Sequence, residues 1–117
     1  GQEFLKKLIP VYSQAIFQNV ETAEEVNYLI IEGHADKNEA EKHSMSLSIR
    51  RAESVTNVLQ AMPFHYKAKF LNKILPAGRG DHDANINLTS DKNRKVLFRF
   101  EFKSHDLTEL LEKDANK

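Results

Sequence analysis

The run Tyr28-Leu29-Ile30-Ile31, closed by Glu32-Gly33, constrains the chain more than any other stretch. Its residues are apolar on both parities of a strand and rich in β-branching. Such a strand is unstable at a surface and calls for cover on both faces, the position of a central strand. The spacing predicts a strand from Val26 to Gly33, with Glu32 marking emergence into solvent. Gly33 lets the backbone turn sharply or lets another element approach it closely. Asp36 then places a carboxylate just beyond the strand's end.

The flanking elements follow from periodicity. Phe4, Leu8, Val11/Tyr12 and Ala15/Ile16 recur at helical spacing and predict a core-facing stripe, with Pro10 expected to kink the helix unless its regular part begins there. Gln18 to Glu25 reads as a polar surface connection. His34 to Met45 is a charged loop, long enough to be a candidate functional one. A helix is expected from Ser46 or Leu47 to about Ala61, capped by Ser46 and stopped by Pro63. Projected at about 100° per residue, Ser48, Arg51, Ala52, Val55, Val58, Leu59 and Met62 share one side, and Arg50, Glu53, Ser54 and Asn57 fall elsewhere. Arg51 therefore lies on the inner side, in the first turn, where a charge is tolerable if it has a partner. Phe64 to Leu71 is a basic-aromatic connection with helical character. Residues 72–77 form a short strand, placed at an edge by Pro76. Residues 78–85 form a loop. Val96, Phe98, Phe100 and Phe102 alternate with Leu97, Arg99 and Glu101 in a last strand. Ser104 or Asp106 would cap a closing helix at about 105–113 over Leu107, Leu110 and Leu111.

These 117 residues make one domain, 1–117, with its core at about 26–103. The order predicts an α+β fold, helices packed on a small mixed β-sheet. The helix between the middle strands permits a parallel crossover. A last strand antiparallel to the first would bring Asn93-Arg94-Lys95 to the end where Asp36 and Arg51 lie. A carboxylate and two arginines converging at a sheet end suit a small zwitterion.

Several function classes are excluded. With 17 basic and 17 acidic side chains, no basic excess points to nucleic acid. Cysteine is absent, which removes disulfides and thiol chemistry. No apolar run approaches the ~20 residues of a transmembrane helix. No Ser, His or Asp sits in a nucleophile-elbow context, so no enzyme is expected, and no cofactor. Asp36-x-Asn38 lacks the glycine and glutamate of a calcium loop. His34 with His43 or Asp36 lacks a common metal spacing, and a satisfied loop histidine bracing the site is the simpler reading. Asp81-His82-Asp83 reads as a solvated acidic loop before a cation site.

Four segments in order, Ile31-Glu32-Gly33-His34-Ala35-Asp36, Leu47-Ser48-Ile49-Arg50-Arg51-Ala52, Gly78-Arg79-Gly80 and Asn93-Arg94-Lys95-Val96, resemble the OmpA-like peptidoglycan-binding domain. The family pattern is a strand ending Gly-His-Thr/Ala-Asp, a helix opening Leu-Ser-x-x-Arg-Ala, and an Asn-Arg-Arg-Val strand; the likeness spans roughly Tyr28 to Phe102. Outer-membrane porin tails, peptidoglycan-associated lipoproteins and stator B subunits of flagellar-type motors belong to it. The resemblance implies non-catalytic binding of the diaminopimelate in the peptidoglycan peptide stem. By position, Asp36 would accept the ligand ammonium, and Arg51 and Arg94 would meet carboxylates, with Ala35, Ser44 and Leu47 beside them. It also implies a bacterial envelope setting, periplasmic and Gram-negative, with a membrane-associated parent protein and a possible homodimer. The sequence departs from the pattern at Glu39, at Ser44 in place of an asparagine, near Ala84, and in the family's first strand, which has no counterpart in these residues. An OmpA-like fold kept as a protein-interaction or dimerisation module, with ligand binding weakened or lost, is the alternative. Asp36 and Arg51 as a purely structural ion pair is a further one.

Overall fold

The computed structural model describes residues 2–37, 43–85 and 87–103. The chain begins with helix α1 (Gln2–Phe17), followed by a one-and-a-half-turn helix α2 (Val20–Glu25) and the strand β1 (Val26–Gly33). The long helix α3 (Ser44–Ala61), a short α4 (Lys67–Lys73) and strand β2 (Ile74–Gly78) come next. A single turn, α5 (Ser90–Asn93), precedes β3 (Val96–Phe102). The order of the sheet is β2-β1-β3, with β1 parallel to β2 and antiparallel to β3. This is the expected α+β arrangement on a mixed sheet. The C-terminal helix expected at 105–113 and the departure at Glu39 lie outside the described residues.

β1 is central and has the limits its apolar run demands, but its two faces are unequal. Leu29 and Ile31 are buried against the helices, whereas Tyr28 is 43% exposed on the opposite face. Helix α3 seals the buried side. Gly33 lets it come close, since a Cβ there would run into the Ser48 carbonyl. The inner side of α3 is the projected one: Ser48, Ala52, Leu59 and Met62 are buried, and Val55 and Val58 pack against the core. Each large apolar side chain fully buried here contributes about 1.5–3 kcal/mol relative to exposure. The helix starts earlier than expected, at Ser44 after the N-cap His43, whose own side chain makes no cap hydrogen bond. Ser46 is therefore inside the first turn and not the cap.

Helix α1 continues through Pro10, giving up one backbone bond, and three further expectations need correction. Its buried side is Leu5, Ile9, Ser13, Ile16 and Phe17, one residue out of phase with the expected stripe, and Phe4 and Val11 are more than 60% exposed. The polar Ser13 disguises that side; its hydroxyl donates to the His65 carbonyl at 2.7 Å. The polar stretch after α1 contains α2, capped by Asn19, whose Oδ1 accepts from the amides of Glu21 and Thr22. Finally, Glu32 does not emerge into solvent. It is 8% exposed, for reasons found at the site.

Candidate functional site

Three chain segments meet beyond the carboxyl end of β1, and backbone bonds fix each. The His34 amide donates to the Lys95 carbonyl at 2.8 Å, which extends the β1–β3 ladder past the sheet. The Ala35 amide donates to the Gly80 carbonyl at 2.8 Å, and the Arg79 amide to the Gly33 carbonyl at 3.0 Å. Gly80 has φ +59°, a left-handed conformation that glycine adopts without a Cβ penalty. Its amide donates to the Ser48 hydroxyl at 2.9 Å, and that hydroxyl donates to the Met45 carbonyl at 2.7 Å. Ser48, fully buried, thus fastens the loop after β2 to the first turn of α3.

Within this frame Ala35, Asp36 and Ser44 are buried at 1–3% exposure. Arg51 is half-buried, with its Nη1 donating to the His34 carbonyl at 2.9 Å. Arg50 points to solvent, as the helical projection requires. Leu47 is half-buried and lines a shallow pocket of about 310 Å³ with His43, Ser46 and Arg50. Arg94 is exposed at the junction of α5 and β3. The structure therefore brings Asp36, Arg51 and Arg94 to one end of the sheet, from β1, α3 and the start of β3.

One residue in the centre escaped the sequence reading. Asn93 is 3% exposed; its Nδ2 donates to Asp36 Oδ1 at 2.9 Å and to the Asn85 carbonyl at 2.9 Å. Its Oδ1 accepts the Asn85 amide at 3.0 Å. Both donors and the acceptor of the amide are used, a satisfied buried network. The signal was its place before Arg94, and the missing fact was a partner 57 positions away.

His34 is 3% exposed, and its ring is hydrogen-bonded within the site. Its Nε2 lies 2.7 Å from Glu32 Oε1 and its Nδ1 3.9 Å from Asp83 Oδ2. The buried Glu32 is also 3.4 Å from Arg99 Nε. Glu32, His34 and Asp83 hold their ligand atoms within 4.8 Å of one another, close enough to share a metal ion. Arginines occupy both carboxylates, however. Arg79 meets Asp83 with two bonds, of 3.1 and 3.3 Å, and Arg99 meets Glu32, so the group is a charge-balanced network and a poor cation receptor. The hydrogen bond from Arg79 holds the Asp83 carboxyl below its usual range, and the same bond holds the Arg79 guanidinium above its own.

Compared with known proteins, residues 9–96 match the model of the OmpA family, about three quarters of the chain. No curated protein and no solved structure matches it. The chain belongs to the OmpA family.

Proposed function

From membership in the OmpA family, a family of non-catalytic envelope modules with a peptidoglycan-binding type of function, we propose that this domain binds the peptide stem of peptidoglycan through its diaminopimelate residue. The observation that carries the reading is the convergence of Asp36, Arg51 and Arg94 at one sheet end. Asp36 accepts the ligand ammonium. Arg51 meets a carboxylate with its planar fork, aided by the positive end of the α3 dipole. Arg94 takes a further carboxylate, and Ala35, Ser44 and Leu47 line the approach. In this role the domain anchors a parent protein to the wall of a Gram-negative periplasm. A membrane-tethered, stator-like homodimer is the parent we favour.

Retention on isolated sacculi tests the pocket. Wild type should sediment with the wall, and Asp36→Ala and Arg51→Ala should stay largely in the supernatant. Equal retention of all three proteins rejects the assignment.

The depth of Asp36, at 2% exposure, favours a second reading. In it, Asp36, Asn93 and Arg51 only close the loop onto the sheet, and the domain serves as an interaction or dimerisation module. That reading expects no amide shifts at residues 34–51 when a diaminopimelate-containing peptide is titrated by NMR. The binding reading expects saturable ones.

A further inference from the structure

We propose that Asn93 is the positioning residue of this site: by donating to Asp36 Oδ1 it sets which way the carboxylate faces an incoming ammonium group. The inference rests on the binding role proposed above. Three observations lead to it. The Asn93–Asp36 bond is short, at 2.9 Å, and both side chains are almost fully buried, so water does not compete for it. A hydrogen bond to an ionised acceptor in such a place is among the strong ones. Asn93 is itself immobilised, because its other donor and its acceptor are held by the backbone of Asn85. The amide is thus a fixed strut, braced on the loop after β2 and bearing on the carboxylate at the end of β1. Carboxylates rotate freely about their last bond unless something holds one oxygen, and Asn93 holds one.

The chemistry also says why the residue is an amide. An aspartate at 93 would keep the acceptor for the Asn85 amide but would set two carboxylates face to face. A lysine or arginine would compete with the ligand cation for Asp36. Asparagine supplies a donor without a charge, so it does not compete with the ligand cation for Asp36.

The test exchanges the two side chains. Four proteins are compared with wild type: Asn93→Ala, Asn93→Asp, Asp36→Asn, and the double variant carrying Asp36→Asn with Asn93→Asp. Thermal unfolding and affinity for a diaminopimelate-containing stem peptide are measured on each. Asn93→Asp should melt well below wild type, and the double variant should recover part of that loss, because an amide again faces a carboxylate while the Asn85 carbonyl stays without its donor. Its affinity should not recover, because the negative charge now sits at 93. Folded Asn93→Ala should bind about tenfold or more weakly, the size expected for losing one charge-assisted bond. Wild-type affinity in Asn93→Ala overturns the inference while leaving the binding role standing. Strictly additive melting losses at 36 and 93 overturn it as well, since coupled partners do not add. A wild-type protein that ignores the peptide rejects the binding role itself, and the positioning role with it.

Discussion

Replacing Gly33 by alanine isolates the packing of α3 on the end of β1. Gly33 does not have a positive φ, so alanine can adopt its backbone conformation and the whole effect comes from the added methyl group. That Cβ would meet the Ser48 carbonyl oxygen first, with the Ser48 carbonyl carbon at 2.9 Å and the Ala52 nitrogen at 3.1 Å. All three are backbone atoms of a helix, so no side chain can rotate away. The helix must retreat, by roughly 1 Å, and overpacking of this kind costs about 1–3 kcal/mol. The same retreat pulls Ser48 from the Gly80 amide, and an orphaned buried donor adds about 1–3 kcal/mol. Alanine returns about 0.4–1 kcal/mol by restricting the unfolded chain. The net expectation is a loss of about 2–4 kcal/mol, or a fall in Tm on the order of 10 °C for a domain of this size. Urea unfolding of both proteins with a common m-value measures it. A Gly33→Ala protein as stable as wild type would refute the close approach, and with it the account of why a glycine ends β1.

Three other predictions follow from the same structure. On α1, Ile9→Ala should cost about 2–5 kcal/mol, whereas Val11→Ser should stay within about 0.5 kcal/mol; denaturant midpoints in the opposite order would restore the other phase of the helix. Glu32→Ala leaves the buried His34 ring without its hydrogen-bond partner and should cost about 1–3 kcal/mol, whereas Arg99→Ala, whose side chain is 60% exposed, should cost less than about 1 kcal/mol in the same assay. The third concerns acid. The Asp83 carboxyl is lowered in the folded protein, so its contribution is present above the unfolded-state carboxylate range and disappears as pH falls through the lowered folded value. Arg79→Ala should therefore move the Asp83 carboxyl resonance titration up toward the ordinary range and flatten the acid limb of stability. An unchanged Asp83 titration would count against the pairing.

Periodicity exposed what depends on one segment at a time. The limits of β1, the inner side of α3 and the alternation of β3 from Phe98 to Glu101 were legible because each is one continuous pattern against one core, whereas Phe102, expected on the core face, is 60% exposed. Errors arose where a partner distant in sequence changed the sense of a residue. Glu32 looked like a solvent-facing end because nothing near it in sequence announces Arg99 across the sheet. Ser13 broke the buried side of α1 into an apparent gap, since the carbonyl that satisfies it belongs to His65. The helix before β1 was missed although Asn19, followed by an acidic first turn, was a readable cap. At the site, Asp36 and Arg51 were legible as opposite charges delivered to one end of the sheet. Asn93 was not, because an amide carries no charge pattern and its role is defined only by what it touches.

The sheet pairing bears on how the domain would respond to force. The candidate site lies at the carboxyl end of β1 and the first turn of α3. Gln2, at the start of α1, lies beside Ala61, Met62 and Pro63 at the far end of α3. A pull between a ligand at the site and the N-terminal helix therefore runs along the length of α3, about 27 Å, and along the direction of β1. Bonds from β1 to the antiparallel β3 run across that line, so a load entering at Arg94 before β3 and leaving at the start of β1 shears that ladder and does not unzip it bond by bond. For a module proposed to hold a protein to a wall, the strand order would then determine the lifetime of the attachment under tension as much as the pocket does.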